Sequence, residues 1–129
     1  MRAVSVRKSA DLEHTPAVID EAHLGRMTLG DRGLEREILE IFARQTAIML
    51  GRIAGAGPAL MAATAHTVVG SARGIGAWRV AQAAERLERA AAVASEPKAR
   101  DEAVEDLKAA MLEASAVIGA RLNAGMSGH

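Results

Sequence analysis

The sequence predicts an all-α protein: an antiparallel four-helix bundle with a short additional helix in front of it. Three observations carry this expectation. Only Phe42 and Trp78 are aromatic in a chain that is 50% hydrophobic, so the core must be aliphatic. The abundance of Ala, Leu, Glu and Arg also favours helix over sheet. Apolar residues recur at steps of three and four over long stretches. Short glycine and proline punctuation separates those stretches, and loops that short make consecutive helices antiparallel neighbours. At 129 residues the chain has the size of one domain.

Each element has its own signals. Residues 1–15 show no periodicity and read as a flexible leader, with the domain expected over 16–123 and a frayed tail over 124–129. Pro16 suits the first turn of a helix, and Val18, Ile19, Ala22 and Leu24 give that helix a face over roughly 17–28. Leu29-Gly30-Asp31 breaks it, with Asp31 the N-cap of the next. That second helix, about 32–54, carries Leu34, Ile38, Ile41, Phe42, Ile48, Met49 and Ile53 as its expected core residues, with Glu35, Arg36, Glu40 and Arg44 placed elsewhere. Gly55-Ala56-Gly57-Pro58 ends it and starts a third helix over 58–73. Gly74-Ile75-Gly76 makes a turn. A fourth helix, 77–94, aligns Val80, Ala84, Leu87 and Ala91, with Glu85 and Arg89 at the spacing of an i,i+4 ion pair. Ser95-Glu96-Pro97 punctuates, and a fifth helix over 97–122 aligns Val104, Leu107, Met111, Ala114 and Ile118.

Charge and composition exclude several functions. Sixteen basic residues balance sixteen acidic ones. A neutral chain of this kind is not built to neutralise nucleic-acid phosphates, nor does it carry a polybasic patch for an anionic membrane. The absence of cysteine excludes disulfides and Cys-ligated zinc or iron–sulfur sites. Residues 1–14 have no apolar h-region, so no signal peptide is expected. No stretch approaches the ~18 apolar residues of a membrane span. A cytoplasmic location is the expectation. His14 and His129 fall in the expected tails, and His23 has no second metal ligand at a suitable spacing. Met27, Met49, Met61 and Met111 read as gap-filling core residues, and Trp78 as a cap on the bundle end.

The third helix holds the informative residue. At about 100° per residue, Met61, Thr64, Ala65, Val68 and Ala72 form one stripe, and His66 lies nearly opposite it. Around His66 are Ala63, Gly70, Ala62 and Arg73. The imidazole is therefore expected on the solvent face among small neighbours, open to another protein. Gly70 in mid-helix costs about 0.5–1 kcal/mol relative to alanine. One turn after His66, it leaves the approach to the ring clear.

The stretch Ala65-His66-Thr67-Val68-Val69-Gly70-Ser71-Ala72-Arg73-Gly74-Ile75-Gly76-Ala77 resembles the signature of histidine-containing phosphotransfer (HPt) domains, roughly A-H-x-L-K-G-S-A-x-x-I-G-A. Leu87-Glu88 resembles the Leu-Glu of the family's following helix, and Gly30-Asp31 with the Ile38–Phe42 segment resembles its second helix. The resemblance implies a monomeric helical bundle whose His66 takes a phosphoryl group from a receiver-domain aspartyl phosphate, or from a hybrid histidine kinase, and passes it to a response-regulator receiver. Together with the neighbours read from the wheel, this makes Gly70, Ala62, Ala63, Val69 and Arg73 the expected supporting or docking positions. No cofactor is implied for this chain, since the receiver supplies the Mg²⁺ and the aspartate. The chain has no G-x-x-x-x-G-K-[ST] loop for ATP. Where the family usually has lysine, three residues after the histidine, this chain has Val69. Arg73, two turns along the same face, is expected to lean back and replace that charge.

Alternative readings differ at particular residues. Thr67 to Gly76 also resembles the phosphate loop of short-chain dehydrogenases, but no flanking strands are predicted and the chain lacks the tyrosine those enzymes need. Dimerisation helices of histidine kinases usually place glutamate after the histidine and proline shortly beyond, where this chain has Thr67 and no proline before Pro97. A bundle that grips a receiver without exchanging phosphate is the remaining alternative, motivated by Val69.

Overall fold

The structure, a computed structural model, describes residues 17–93 and 96–127, with side chains to 124. The expectations for the leader, Pro16, His14 and His129 lie outside the described residues. Five helices follow in order: α1 Glu21–Thr28, α2 Arg32–Ala54, α3 Pro58–Ile75, α4 Trp78–Ala92 and α5 Pro97–Ser127. Helices α2 to α5 pack in a ring, each against its two neighbours, and α1 lies across the ends of α2 and α3. The all-α bundle with a short leading helix is therefore the observed fold. No helix among the described residues is long and apolar enough to cross a membrane.

Caps set the boundaries. Asp20 caps α1 by accepting from the amide of His23, so α1 begins at 21 rather than 17. Asp31 caps α2, accepting from the amide of Leu34 at 3.0 Å, as expected. Leu29 takes the left-handed conformation that ends α1. Proline at the first position opens α3. α3 runs through Gly74 to Ile75, because the chain reverses only at Gly76, whose φ is +81°. The amides of Gly76 and Ala77 close the helix end by donating to Arg73 and Ala72 carbonyls, at 3.2 and 2.8 Å. A side chain at Gly76 would also meet Asp20, whose backbone oxygen stands 3.2 Å from the position a Cβ would occupy. α5 continues five residues past the expected end at 122.

The core is aliphatic, as composition requires. Leu24, Leu39, Ile53, Val68, Leu87, Leu107 and Ile118 are among its buried side chains, and alanines at 65, 72, 84 and 114 let the helices approach. The expected stripes of α3, α4 and α5 are buried or half-buried throughout.

α2 departs from expectation. Its buried residues are Glu35, Leu39, Phe42, Thr46 and Ile53, whereas Leu34, Ile41 and Ile48 are 40%, 49% and 50% exposed. The helix is rotated so that a glutamate faces inward. Glu35 is tolerated there because the Arg121 guanidinium on α5 donates to it at 2.7 Å and the Thr28 hydroxyl at 3.2 Å. Arg121 also holds Glu21 of α1 at 2.9 Å. The guanidinium keeps the Glu35 carboxyl below its ordinary pKa, outweighing the opposing effect of burial. Met27, expected in the core, is instead partly exposed and lies against Gly74.

One end of the bundle is tied to the start of the described chain. The Asp20 amide donates to the Gly76 carbonyl at 2.9 Å, and the Trp78 indole donates to the Asp20 carboxylate at 2.8 Å. That bond, with the His23 amide, lowers the Asp20 pKa. A carbonyl only accepts, so His23 donates from Nε2 to Gly74, at 3.1 Å. Its ring meets Trp78 edge-on with centroids 5.0 Å apart. Trp78 thus caps the bundle end, and the turn after α3 is fixed in place.

Candidate functional site

α3 buries Thr64, Ala65, Val68, Val69, Ala72 and Ile75. Its opposite face carries His66, Ala63, Thr67, Gly70 and Arg73, all exposed. The His66 side chain is 74% exposed. A Cβ built on Gly70 would meet nothing within 4 Å. The glycine is therefore not demanded by packing within this chain, and the space beside the imidazole is open.

The imidazole is held from α4. His66 Nδ1 lies 2.9 Å from Glu88 Oε2. An ionised carboxylate only accepts, so Nδ1 carries the ring proton and, in the neutral ring, Nε2 keeps its lone pair. The geometry therefore presents an oriented nucleophile: Nδ1 anchored at the rim of α4 and Nε2 left free on a largely exposed ring.

A second rung bridges the same two helices. Arg73 pairs with Glu85 of α4. His66 and Arg73 are seven positions apart, about two turns or roughly 10 Å along the axis. Antiparallel packing accounts for both rungs, since moving up α3 from 66 to 73 means moving down α4 from 88 to 85. Two sequence expectations are corrected here. Arg73 does not lean back to His66 but reaches across to α4. Glu85 is held by Arg73 and not by Arg89 along its own helix.

The other positions expected at the site separate. Ala63 and Gly70 lie on the open face with His66, and Ala62 is half-buried beside them. Val69 is not available for docking: it is 5% exposed, because it points to the flank of α3 that α4 covers between the two rungs. Sequence reasoning missed Glu88 and Glu85 as neighbours of this face. The Leu87-Glu88 pair was the signal for the first: Leu87 is fully buried, which turns the next residue to the rim. On α2, the neighbour of α3 on the side away from α4, the exposed Leu34, Ile41 and Ile48 form an apolar row at seven-residue spacing.

No curated protein and no solved structure matches the chain. A family model does match: that of the Hpt domain, over residues 37–117, which takes in most of α2, all of α3 and α4, and most of α5. With well over half its length matched, and with a solvent-facing histidine in its third helix, the chain belongs to the Hpt family of phosphocarrier modules that work in two-component phosphorelays.

Proposed function

We propose that this chain accepts a phosphoryl group on His66 from the aspartyl phosphate of a receiver domain, or from a hybrid histidine kinase, and passes it to a response-regulator receiver. The observation that carries this reading is the imidazole itself: 74% exposed, with Nδ1 fixed on Glu88. Nε2 attacks phosphorus in line. The new bond is Nε2–P, the aspartyl O–P bond breaks, and its electron pair returns to the aspartate. The proton on Nδ1 stays on the ring against Glu88, whose carboxylate offsets the positive charge the ring acquires. The return step reverses these changes on the next aspartate. Phosphoryl transfer depends mainly on positioning and charge stabilisation. This chain supplies the positioned nucleophile, and the receiver supplies the aspartate with its Mg²⁺.

The surroundings suit a docked protein. Ala63 and Gly70 leave room over the ring. The row Leu34, Ile41 and Ile48 offers apolar surface on the adjacent helix, the kind of exposed patch that marks an interaction site. The chain acts as a monomer in the cytoplasm on this reading. The test is labelling from a phosphorylated receiver. His66→Gln is expected to abolish labelling while keeping the helical circular dichroism. The label on the parent chain should be acid-labile and base-stable, as a phosphoramidate is. Labelling that survives in His66→Gln refutes the assignment.

A further inference from the structure

A phosphoryl group on His66 would add about two negative charges beside Glu88 and one turn from Glu85. The chain's own cations must be counted against that. Position 69 carries a buried valine. Arg73 is occupied by Glu85. That pairing has a consequence for Arg89, whose i,i+4 partner on α4 would have been the same Glu85. Arg89 is exposed and enters no ion pair among the described residues.

We propose that Arg89 is the residue of this chain that meets the phosphoryl group on His66. The proposal rests on the phosphocarrier reading of His66. Around α4, at about 100° per residue, the order from the core outward on the α3 side is Leu87, Glu88, Glu85, Arg89. Arg89 therefore lies beyond Glu85 on the outer face of α4, about 100° around the helix from Glu88 and about 1.5 Å from it along the axis, and its long side chain reaches the rim by folding back over it. Helical side chains tilt toward the N-terminus, which carries the guanidinium back over the level of Glu88 and His66. Its fork of N–H donors matches phosphoryl oxygens in geometry and charge. The Arg73–Glu85 pair contributes indirectly, by neutralising the carboxylate that would otherwise hold Arg89 down.

The experiment uses the full chain and a small donor, phosphoramidate, so that receiver docking plays no part. Arg89→Ala should slow labelling of His66 by about fivefold, the effect of a solvent-screened charge. Arg89→Lys should recover most of the rate, and the difference between parent and Arg89→Ala should shrink in high salt. Arg86→Ala, a charge removed from the groove between α4 and α5 on the side away from α3, serves as the control and should label at the parent rate. If Arg89→Ala labels at the parent rate while His66→Gln is unlabelled, the assignment of Arg89 is overturned and the phosphocarrier reading stands. If His66→Gln is still labelled, both are overturned.

Discussion

Replacing Glu88 by glutamine removes a charge and keeps an acceptor, which separates two contributions of this side chain. The glutamine oxygen can still accept from Nδ1, so Nε2 keeps its lone pair. What is lost is the attraction between the carboxylate and the positive charge that grows on the ring as Nε2 bonds to phosphorus. The contact is 2.9 Å, but the two side chains are 74% and 36% exposed, so water screens most of the gain. An exposed pair of this kind is worth up to about 1 kcal/mol, or about fivefold in rate. Glu88→Ala removes the hydrogen bond as well and frees the ring to place its proton on either nitrogen. A further loss of several-fold is expected. The assay is single-turnover transfer from a phosphorylated receiver at saturating concentration, which isolates the chemical step from docking. Nitrogen-15 NMR of the imidazole should show the proton on Nδ1 in the parent chain and a mixture in Glu88→Ala. Parent-like rates in both variants, or a parent ring protonated on Nε2, would refute the role given to Glu88.

Gly70→Leu should leave the helical spectrum unchanged and raise the Tm, because leucine has the better helix propensity and meets open space. Transfer from a receiver should fall sharply while labelling by phosphoramidate persists; unchanged receiver transfer would show that the glycine is not there for clearance. Arg121→Ala should cost about 1–2 kcal/mol of stability through the lost charge-assisted hydrogen bonds to Glu35 and Glu21, measured by urea unfolding. The Glu35 carboxyl is held low by Arg121, so its contribution is present above the ordinary glutamate range and is lost as pH falls through the depressed value. The parent chain should therefore lose stability on acidification below about pH 5 more steeply than Arg121→Ala. Equal slopes would contradict the pairing.

Local chemistry made most of the fold legible. Asp31, Pro58 and Pro97 mark helix starts because capping and proline geometry act within one turn. The stripes of α3, α4 and α5 follow the 3.6-residue period directly. α2 misled because its apolar residues occupy two faces. Leu34, Ile41 and Ile48 look like a core seam, and Glu35 looks like a surface residue. Its inward turn depends on Arg121, 86 residues away, which periodicity within one helix does not reveal. The same holds at the site. The exposure of His66 was readable from its wheel, but the contact with Glu88 and the capture of Arg73 by Glu85 depend on how α3 and α4 slide against each other. Val69 sits at the edge of the exposed arc on the wheel, and only the position of α4 decides that it is covered.

The knot formed by Glu21, Glu35 and Arg121 has a consequence for how the domain is delimited. The family match spans 37–117, and all three residues fall outside it: two before its start and one after its end. A fragment cut at those limits would also lose Asp20, which receives the Trp78 indole, and the Thr28 hydroxyl. It would keep His66 and Glu88 while shedding the polar fastenings at its borders. The polar contacts that fasten this bundle thus reach beyond the matched segment on both sides, from Asp20 at one margin to Arg121 at the other.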